Sequence, residues 1–252
     1  MYKKQSPIPK KLKSFKGIFI YGHRGLLGHK SENTMSSFSY AINAKANGIE
    51  LDVQKIKSGE LIVFHDESLY KINGNHKPIS DYNFSELKRI DISKKWDVMK
   101  NQSIPQLIDV IDLIPKNMIL NVEIKSYQSS KNDIVYDIIN LIDYKNLYEN
   151  VIISSFDPII LFKIKKLNNK IPISLIWNGK TKFAKTIVKL LKPSTFHMHS
   201  KYITTEIINW MHNRNTQVYA YTINNEKDYL KGKTMNLDGI FTDIDLFMKK
   251  QN

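Results

Sequence analysis

Short apolar runs rich in β-branched residues alternate with longer segments of helical periodicity along most of the chain. Nine runs have the length and composition of buried strands: Ile18–Tyr21, Ile49–Val53, Leu61–Phe64, Met118–Val122, Val151–Ser154, Pro172–Ile176, Thr195–Met198, Gln217–Tyr221 and Gly239–Thr242. Apolar residues three or four positions apart predict the helices between them: Thr34–Asn47, Gln106–Ile114, Asp133–Asp143, Pro158–Leu167, Lys182–Leu191, Glu206–Asn213, Glu226–Leu230 and a last one from Asp245. Strands that alternate with helices usually pair in parallel. We therefore expect an α/β fold, namely a TIM-type (β/α)8 barrel.

Nine candidate strands are one more than such a barrel holds. Only a turn at residues 57–60 separates Ile49–Val53 from Leu61–Phe64, and it is too short for a crossover helix. We therefore expect these two strands to be antiparallel, to belong to the barrel and to distort it. Residues 66–104 contain no strand–helix unit of their own and are interpreted as a small insertion after the second strand region. No repeat or linker divides residues 1–252, so we expect a single domain.

The composition excludes several kinds of site. The chain has no cysteine, which excludes disulfides, thiolate metal ligands and a cysteine nucleophile. A metal ion would therefore be bound by oxygen or imidazole ligands. The hydrophobic content of 42% is sufficient for a large core, so the chain is neither disordered nor fibrous.

The net charge of +14 raises the question of nucleic-acid binding. Only three of the 38 basic residues are arginines, namely Arg24, Arg89 and Arg214, and the lysines are spread over the whole length. Proteins that read nucleic acids usually concentrate their charge and favour the guanidinium group. We therefore expect no specific nucleic-acid partner. A field of this sign would still attract an anionic small-molecule substrate.

The first residues are basic, like the start of a signal peptide. Only Ile18–Tyr21 follows as an apolar run before Gly22, which is too short for the hydrophobic region of such a peptide. No later run approaches the ~20 apolar residues of a membrane-spanning helix. We interpret residues 1–17 as a frayed basic tail and expect a cytoplasmic protein. Weak contact of this tail with anionic lipid remains an alternative.

Polar residues recur where the predicted strands end, which is where barrels of this type carry their active sites. They are His23-Arg24-Gly25, Glu50-Leu-Asp52 within the second run, His65-Asp66, Glu123-Ile-Lys125, Asn224 and Asp243. Residues i and i+2 of a strand share a face, so Glu50 projects with Asp52, and Glu123 with Lys125. Three converging carboxylates repel one another unless a cation neutralises them, and oxygen ligands suit Mg2+ or Ca2+. The alternative is that Glu50 and Asp52 lie at a sheet edge and meet solvent or a lysine.

The histidines fall into distinct groups. His23 and His65 each follow a strand and stand beside charged residues, where an acid and a base would be useful. His212 lies on a predicted helix among polar residues, so we expect it at the surface. His197 and His199 share one strand face without a nearby carboxylate, and we expect them to pack in the core or at the rim.

The order and spacing of these motifs resemble the glycerophosphodiester phosphodiesterase family. The resemblance covers residues 18–245 and rests on His23-Arg24-Gly25, Glu32-Asn33-Thr34, Glu50-Leu-Asp52, His65-Asp66, Ile104-Pro105, Glu123-Ile-Lys125, Ser155-Phe156, Thr222-Ile-Asn224 and the closing run from Asp238 to Asp243. It implies a TIM-type barrel that hydrolyses glycerophosphodiesters to sn-glycerol 3-phosphate and an alcohol. Three positions depart from the family pattern: Ser31, Lys71 and Tyr221.

The resemblance also implies roles for individual residues. Glu50, Asp52 and Glu123 correspond to ligands of a divalent metal, Mg2+ or Ca2+. His23 and His65 correspond to the acid/base pair, Arg24 and Lys125 to phosphate contacts, and Phe156 and Tyr221 to the substrate pocket. Whether water or the substrate's 2-hydroxyl attacks first stays open, as do the preferred head group and the oligomeric state.

Two other functions remain as alternatives: lysophospholipase D-type activity on lysophospholipids, and a non-catalytic barrel that binds phosphodiesters or nucleic acid. The insertion at residues 66–104 mixes aromatic with charged residues and offers no continuous apolar wall for an acyl chain. We therefore expect deacylated diesters, such as glycerophosphocholine, to be better substrates than lysolipids.

Overall fold

The computed structural model of the chain describes residues 4–27, 31–93, 100–127, 131–179 and 181–248. Its nine strands are β1 (Phe19–Gly22), β2 (Gly48–Lys55), β3 (Leu61–Val63), β4 (Ile119–Ile124), β5 (Val151–Ser155), β6 (Ile173–Trp177), β7 (Thr195–His199), β8 (Gln217–Tyr221) and β9 (Gly239–Thr242). Eight of them pair in parallel in the order β1-β2-β4-β5-β6-β7-β8-β9, and β9 pairs with β1 to close the sheet. The predicted TIM-type barrel is confirmed.

The helices of the described residues are α1 (Lys10–Ser14), α2 (Met35–Asn43), α3 (Tyr70–Asn73), α4 (Phe84–Leu87), α5 (Leu107–Leu113), α6 (Lys131–Lys145), α7 (Pro158–Leu167), α8 (Thr181–Leu191), α9 (Thr205–His212) and α10 (Glu226–Thr234). Most of them connect successive barrel strands on the outside, but α1 precedes β1, and α3 and α4 lie in the segment after β3. The sequence dictates several of their starts: Thr34 caps α2 by accepting a hydrogen bond from Ser37 N, and Asp157 caps α7, whose first residue is Pro158. Among the described residues no helix combines the length and apolarity that crossing a bilayer requires. Of the helix predicted from Asp245, only residues 245–248 are described; they form a turn in which Met248 N donates to the carbonyl of Asp245 at 3.1 Å, and the rest of the prediction lies outside the described residues.

Strand β3 lies outside the barrel, so the expectation that Leu61–Phe64 is a barrel strand is wrong. It pairs antiparallel with β2 through Val53, Gln54 and Lys55. These residues lie at the end of β2, because the parallel pairing of β2 with β4 ends at Val53. The hairpin therefore forms on an extension of β2 above the barrel rim, and the eight-stranded sheet closes without distortion.

The segment after β3 has a small apolar core of its own. Within residues 66–93 and 100–104, α3 and α4 fold over the hairpin. Nine buried side chains form this core: Ile56, Ile62, Phe64, Leu69, Ile79, Tyr82, Leu87, Ile92 and Ile104. The aromatic and aliphatic residues of the insertion are thus largely used in packing it against β3.

The beginning of the chain covers the N-terminal end of the barrel. Leu12 is 2% exposed and packs with Phe19 and Ile119, the first residues of β1 and β4. Its carbonyl accepts a hydrogen bond of 3.2 Å from Gln217 Nε2. The expectation of a frayed tail is therefore wrong for residues 4–17, because Leu12 brings enough apolar surface to cover the barrel interior.

Candidate active site

A cavity of about 290 Å3 opens at the C-terminal end of the barrel strands. Eight of the nine predicted site residues line it: His23, Arg24, Glu50, His65, Glu123, Lys125, Phe156 and Tyr221. The ninth, Asp52, is buried directly beside them, with an ion pair to Lys125. The structure thus brings together residues from six strands and the loops that follow them, over a sequence distance of about two hundred residues.

Three carboxylates form the centre of this site. Glu50 and Asp52 share one face of β2, and Glu123 lies opposite Asp52 in the register of β4. One oxygen from each lies within 4.8 Å of the others, and all three residues are buried. The alternative of a solvent-facing sheet edge is therefore wrong, although Asp52 does meet a lysine, Lys125.

The carboxylates differ in their electrostatic surroundings. Burial and the neighbouring charge of Asp52 raise the pKa of Glu50 to about 8, and they also raise the pKa of Glu123. Burial opposes ionisation of Asp52 as well, but the charges of Lys125 and Arg24 outweigh it and lower its pKa to about 2. Protein cations thus stabilise Asp52 far better than Glu50. A divalent cation bound by all three would remove the remaining repulsion, and oxygen donors at these spacings suit Mg2+ or Ca2+.

Two basic side chains lie against the carboxylates. Lys125 Nζ is 3.2 Å from Asp52 Oδ1 and 2.6 Å from Glu123 Oε1. Arg24 Nε is 3.3 Å from Asp52 Oδ2, and its Nη1 is 2.8 Å from Glu32 Oε1. Burial opposes their charge, but the neighbouring carboxylates together outweigh it and raise the pKa of both groups: Asp52 with Glu32 for Arg24, and Asp52 with Glu123 for Lys125. Both therefore stay cationic at the edge of the cavity, where they can meet an anionic group.

A tight turn places Arg24. Arg24 has φ 52° and Gly25 has φ 87°, so two successive residues adopt the left-handed conformation that favours glycine. A Cβ at Gly25 would come within 2.7 Å of the Ser37 backbone, which excludes larger residues. The turn aims the backbone N–H of Arg24 at Glu50 Oε2, at 2.9 Å.

His23 is held in place by a carboxylate from the far end of the chain. Its Nδ1 lies 2.7 Å from Asp243 Oδ1. Asn224 fixes that carboxylate, because its Nδ2 donates to Asp243 Oδ2 at 2.7 Å and its Oδ1 accepts from Asp243 N. Burial lowers the pKa of His23, but the hydrogen bond to Asp243 and the charge of Glu50 outweigh it and raise the pKa. The other ring nitrogen, Nε2, points to the carboxylate cluster, 3.9 Å from Glu50 Oε2.

His65 has a similar arrangement built from local residues. Its Nδ1 lies 2.8 Å from Asp66 Oδ1, which also binds Lys71 Nζ at 3.0 Å. Gln54 fixes the loop by donating to the carbonyls of Phe64 and Asp66. Burial lowers the pKa of His65 and outweighs the opposing effect of Asp52. Each histidine is therefore oriented through Nδ1, and each keeps Nε2 for chemistry.

The sequence did not assign roles to the partners of these groups. Asp243, Asp66, Glu32 and Asn33 appear in the predicted motifs, but their contacts depend on the fold: Asn33 Nδ2, for example, donates to Asp52 Oδ2 at 2.8 Å. The only signal in the sequence was their proximity to the motif residues.

The structure corrects or refines the predictions for three other histidines. His212 is partly buried rather than a free surface residue, and its Nε2 lies 2.7 Å from Asp238 Oδ2. His197 and His199 both line the cavity. His197 is 2% exposed and lies in the core, and His199 is exposed and lies at the rim, as predicted. The sequence did not predict that both residues also line the candidate site.

The aromatic wall of the cavity is formed by the predicted pocket residues. The rings of Phe156 and Tyr221 meet edge to face with centroids 6.3 Å apart. Tyr221 is anchored because its hydroxyl donates to the carbonyl of Trp177 at 3.0 Å. The cavity therefore has a charged side and an apolar side.

Comparisons with known proteins agree with this geometry. The sequence profile of the glycerophosphoryl diester phosphodiesterase family matches residues 23–244. A glycerophosphodiester phosphodiesterase of Bacillus altitudinis is 31% identical over 230 residues, which cover 89% of this chain and 94% of the relative. The fold is similar to that of a Thermotoga maritima glycerophosphodiester phosphodiesterase, with a TM-score of 0.78 and 25% identity over 94% of this chain and all of the other. It is also similar to an Oleispira antarctica phosphodiesterase solved with the product sn-glycerol-3-phosphate, with a TM-score of 0.84 and 23% identity over 95% and 98% of the two chains.

Proposed function

Because the chain belongs to the glycerophosphoryl diester phosphodiesterase family, we propose that it hydrolyses glycerophosphodiesters to sn-glycerol 3-phosphate and an alcohol in the cavity at the end of its barrel. The observation that carries the proposal is the placement of two carboxylate-bound histidines, His23 and His65, beside a buried cluster of three carboxylates. The product found in the Oleispira antarctica enzyme is the one this reaction would release.

Glu50, Asp52 and Glu123 would bind a divalent metal, Mg2+ or Ca2+. The raised pKa of Glu50 supports this assignment, because a cation is what this buried carboxylate cluster needs to ionise fully. When bound, such an ion supplies Lewis-acid polarisation and charge neutralisation at a phosphoryl oxygen.

Arg24 and Lys125 would bind the phosphodiester anion. A phosphodiester resists attack because its oxygens carry negative charge, so the site must neutralise that charge first. Both side chains stay cationic beside the cavity, and the guanidinium group can bind two oxygens at once.

His23 and His65 would move the protons. One takes a proton from the attacking hydroxyl, and the other donates a proton to the oxygen of the leaving alcohol. Asp243 and Asp66 support both steps, because a carboxylate on Nδ1 fixes the ring and stabilises its positive charge. The attacking hydroxyl belongs to water, which gives sn-glycerol 3-phosphate directly, or to the 2-position of the substrate's glycerol, which gives a cyclic phosphate that water then hydrolyses to sn-glycerol 3-phosphate.

The size of the cavity favours small substrates. A volume of about 290 Å3 is at the lower end of the roughly 300–1,000 Å3 of ligand pockets. We therefore expect a higher kcat/KM for glycerophosphocholine and glycerophosphoethanolamine than for the corresponding lysolipids, and similar values for the two head groups. Kinetics below the micelle concentration would test this, and a clear preference for lysolipids would favour the lysophospholipase D-type alternative.

Replacing the two histidines tests the proposed mechanism. His23→Ala and His65→Ala should each lower kcat for glycerophosphocholine by ~10²–10⁴-fold, the usual contribution of an acid or base. His76→Ala is the matched control, because His76 is exposed on the insertion and should change kcat by less than about twofold. Similar small losses in all three variants would show that the proton-transfer groups lie elsewhere.

A further inference from the structure

The floor of the cavity carries polar groups that the proposed mechanism does not use. Besides the predicted site residues, four cavity-lining residues lie within the strands and before their last residues; we call them the floor: Asn121 on β4, Ile176 on β6, His197 on β7 and Phe241 on β9. Asn121 lies opposite Glu50 in the register of β2 and β4. The interior of such barrels is usually filled by branched apolar side chains. A buried amide and a buried imidazole at this depth therefore call for an explanation.

Asn121 has an unused hydrogen-bonding atom. Its side chain is 1% exposed, and its Nδ2 donates to Ser154 Oγ at 3.0 Å. Its Oδ1 has no hydrogen-bond partner among the described residues. Rotating the amide by 180° exchanges the two atoms but still leaves one of them without a partner. A buried polar group of this kind is costly unless a ligand or water completes its hydrogen bonds.

His197 offers a second polar atom on the floor. Its Nε2 lies 3.1 Å from Thr195 Oγ1, and the ring packs between Tyr219 and Phe241 with centroid distances of 5.6 and 4.7 Å. Burial lowers the pKa of His197 to about 3, so the imidazole is neutral at physiological pH. A neutral imidazole can accept or donate a hydrogen bond but does not attract an ionic group.

We propose that Asn121 and His197 form a subsite on the floor that binds a hydroxyl group of the substrate. The inference rests on the proposed function and extends it by assigning a residue pair to substrate selection. A hydroxyl both donates and accepts, so it matches an amide oxygen and a neutral imidazole. An ammonium or carboxylate group would lose its hydration there without a compensating charge on any of the four floor residues. The hydroxyl belongs either to the terminal carbon of the substrate's glycerol or to its leaving alcohol.

Paired substrates that differ by one hydroxyl test the subsite. The first pair is glycerophosphocholine and (2-hydroxypropyl)phosphocholine, which lacks the terminal glycerol hydroxyl but keeps the 2-hydroxyl. The second pair is the diester of glycerol 3-phosphate with ethylene glycol and that with ethanol, which differ by one hydroxyl in the leaving alcohol. The wild type should prefer the hydroxylated member of one pair by at least about tenfold in kcat/KM, because a site built to bind a hydroxyl rejects the analogue without it. The pair that shows the preference identifies the hydroxyl.

Variants connect that preference to the floor. Asn121→Leu should reduce it to within about threefold, and His197→Phe should reduce it as well. Ser154→Ala is the matched control, because it removes the partner of Asn121 Nδ2 and leaves Oδ1 in place, so the preference should persist. If Asn121→Leu is poorly folded, the smaller change Asn121→Ser is measured in its place.

The outcomes separate this inference from the function it rests on. A wild type that cleaves all four diesters without preference, or an Asn121 variant that slows both members of a pair equally, would overturn the subsite and leave the phosphodiesterase intact. A wild type that cleaves none of them would overturn both.

Discussion

At the residue scale, the three carboxylates of the site differ in how well the protein stabilises their charge. Asp52 has ion pairs with Lys125 and Arg24, whereas among the described residues Glu50 has no lysine or arginine side chain in ion-pair contact. A negative charge therefore stabilises the fold at Asp52 and destabilises it at Glu50, two residues earlier on β2. This asymmetry leads to opposite predictions for two conservative substitutions.

In metal-free protein at pH 7, Glu50→Gln should raise the free energy of unfolding and Asp52→Asn should lower it. Burial and the charge of Asp52 raise the pKa of Glu50 to about 8, so this side chain must take up a proton at pH 7; the first substitution removes that cost, with a gain of about 1–2 kcal/mol, or a few degrees in Tm. The second removes the carboxylate that Lys125 and Arg24 share and leaves them only Glu123 and Glu32 as ion-pair partners, at a cost of up to about 3 kcal/mol. Thermal unfolding in excess chelator measures both. Destabilisation by Glu50→Gln would show that Glu50 is not under electrostatic repulsion.

The sequence predicted which side chains meet at the cavity but not the partners that hold them there. The i and i+2 rule is a property of one strand, so it identified Glu50 with Asp52 and Glu123 with Lys125. The carboxylate that orients His23 comes from Asp243, 220 positions away. Which loops meet at the mouth of the barrel depends on the closure of the whole sheet, and no local pattern encodes it.

At the element scale, all nine strands were predicted within a few residues of their observed bounds. The misassigned role of β3 has a physical reason. A short apolar run looks the same in the sequence whether it forms a barrel strand or a hairpin strand. Which of the two it forms depends on how far the preceding strand extends beyond the barrel. Strand β2 reaches Lys55, two residues beyond its predicted end, and β3 pairs with this extension. The distinction lies in register rather than in composition.

An ion pair between a helix and the residue before a strand makes the stability of the fold depend on pH. His212 at the end of α9 binds Asp238, which precedes β9 and accepts a hydrogen bond from Val218 N on β8. The hydrogen bond to Asp238 outweighs burial and raises the pKa of His212. Because the folded pKa is raised, this contribution to stability is fully present below the unfolded value of about 6.5 and is lost as pH rises through the folded pKa.

His212→Gln should therefore cost more stability at pH 5.5 than at pH 9. We expect a difference of up to about 1 kcal/mol, since the side chain is about a third exposed. Urea unfolding of both proteins at the two pH values measures it. A loss that is the same at both values would mean that the pair contributes as a neutral hydrogen bond only.

At the scale of the whole molecule, charge and chain ends were the least predictable features. The first residues look like a frayed basic tail because lysine dominates them, yet Leu12 and its neighbours close the barrel interior. In the sequence, Leu12 is an apolar residue between lysines. The apolar surface that it covers exists only once the barrel has closed, so the sequence alone does not predict its burial. This segment lies at the end of the barrel opposite the cavity, and the apolar cluster that it joins reaches the cavity at Phe241.

The net charge of +14 has a simpler role at this scale. The lysines are spread over the surface, which favours the approach of an anionic diester without specifying it. Specificity comes from the cavity, where cations, carboxylates and histidines from distant strands meet. We therefore propose that this cavity hydrolyses a glycerophosphodiester with a metal bound by Glu50, Asp52 and Glu123.

The direct test of this proposal is the release of sn-glycerol 3-phosphate from glycerophosphocholine. We would measure this release for the wild type before chelation, in excess EDTA, and after Mg2+ or Ca2+ is restored. We predict that product release stops in EDTA, returns with the ion, and stays absent at every step in Glu123→Gln. Glu206→Gln, which alters an exposed carboxylate paired with Lys185, should behave as the wild type. Undiminished release by the wild type in excess EDTA would contradict the proposal.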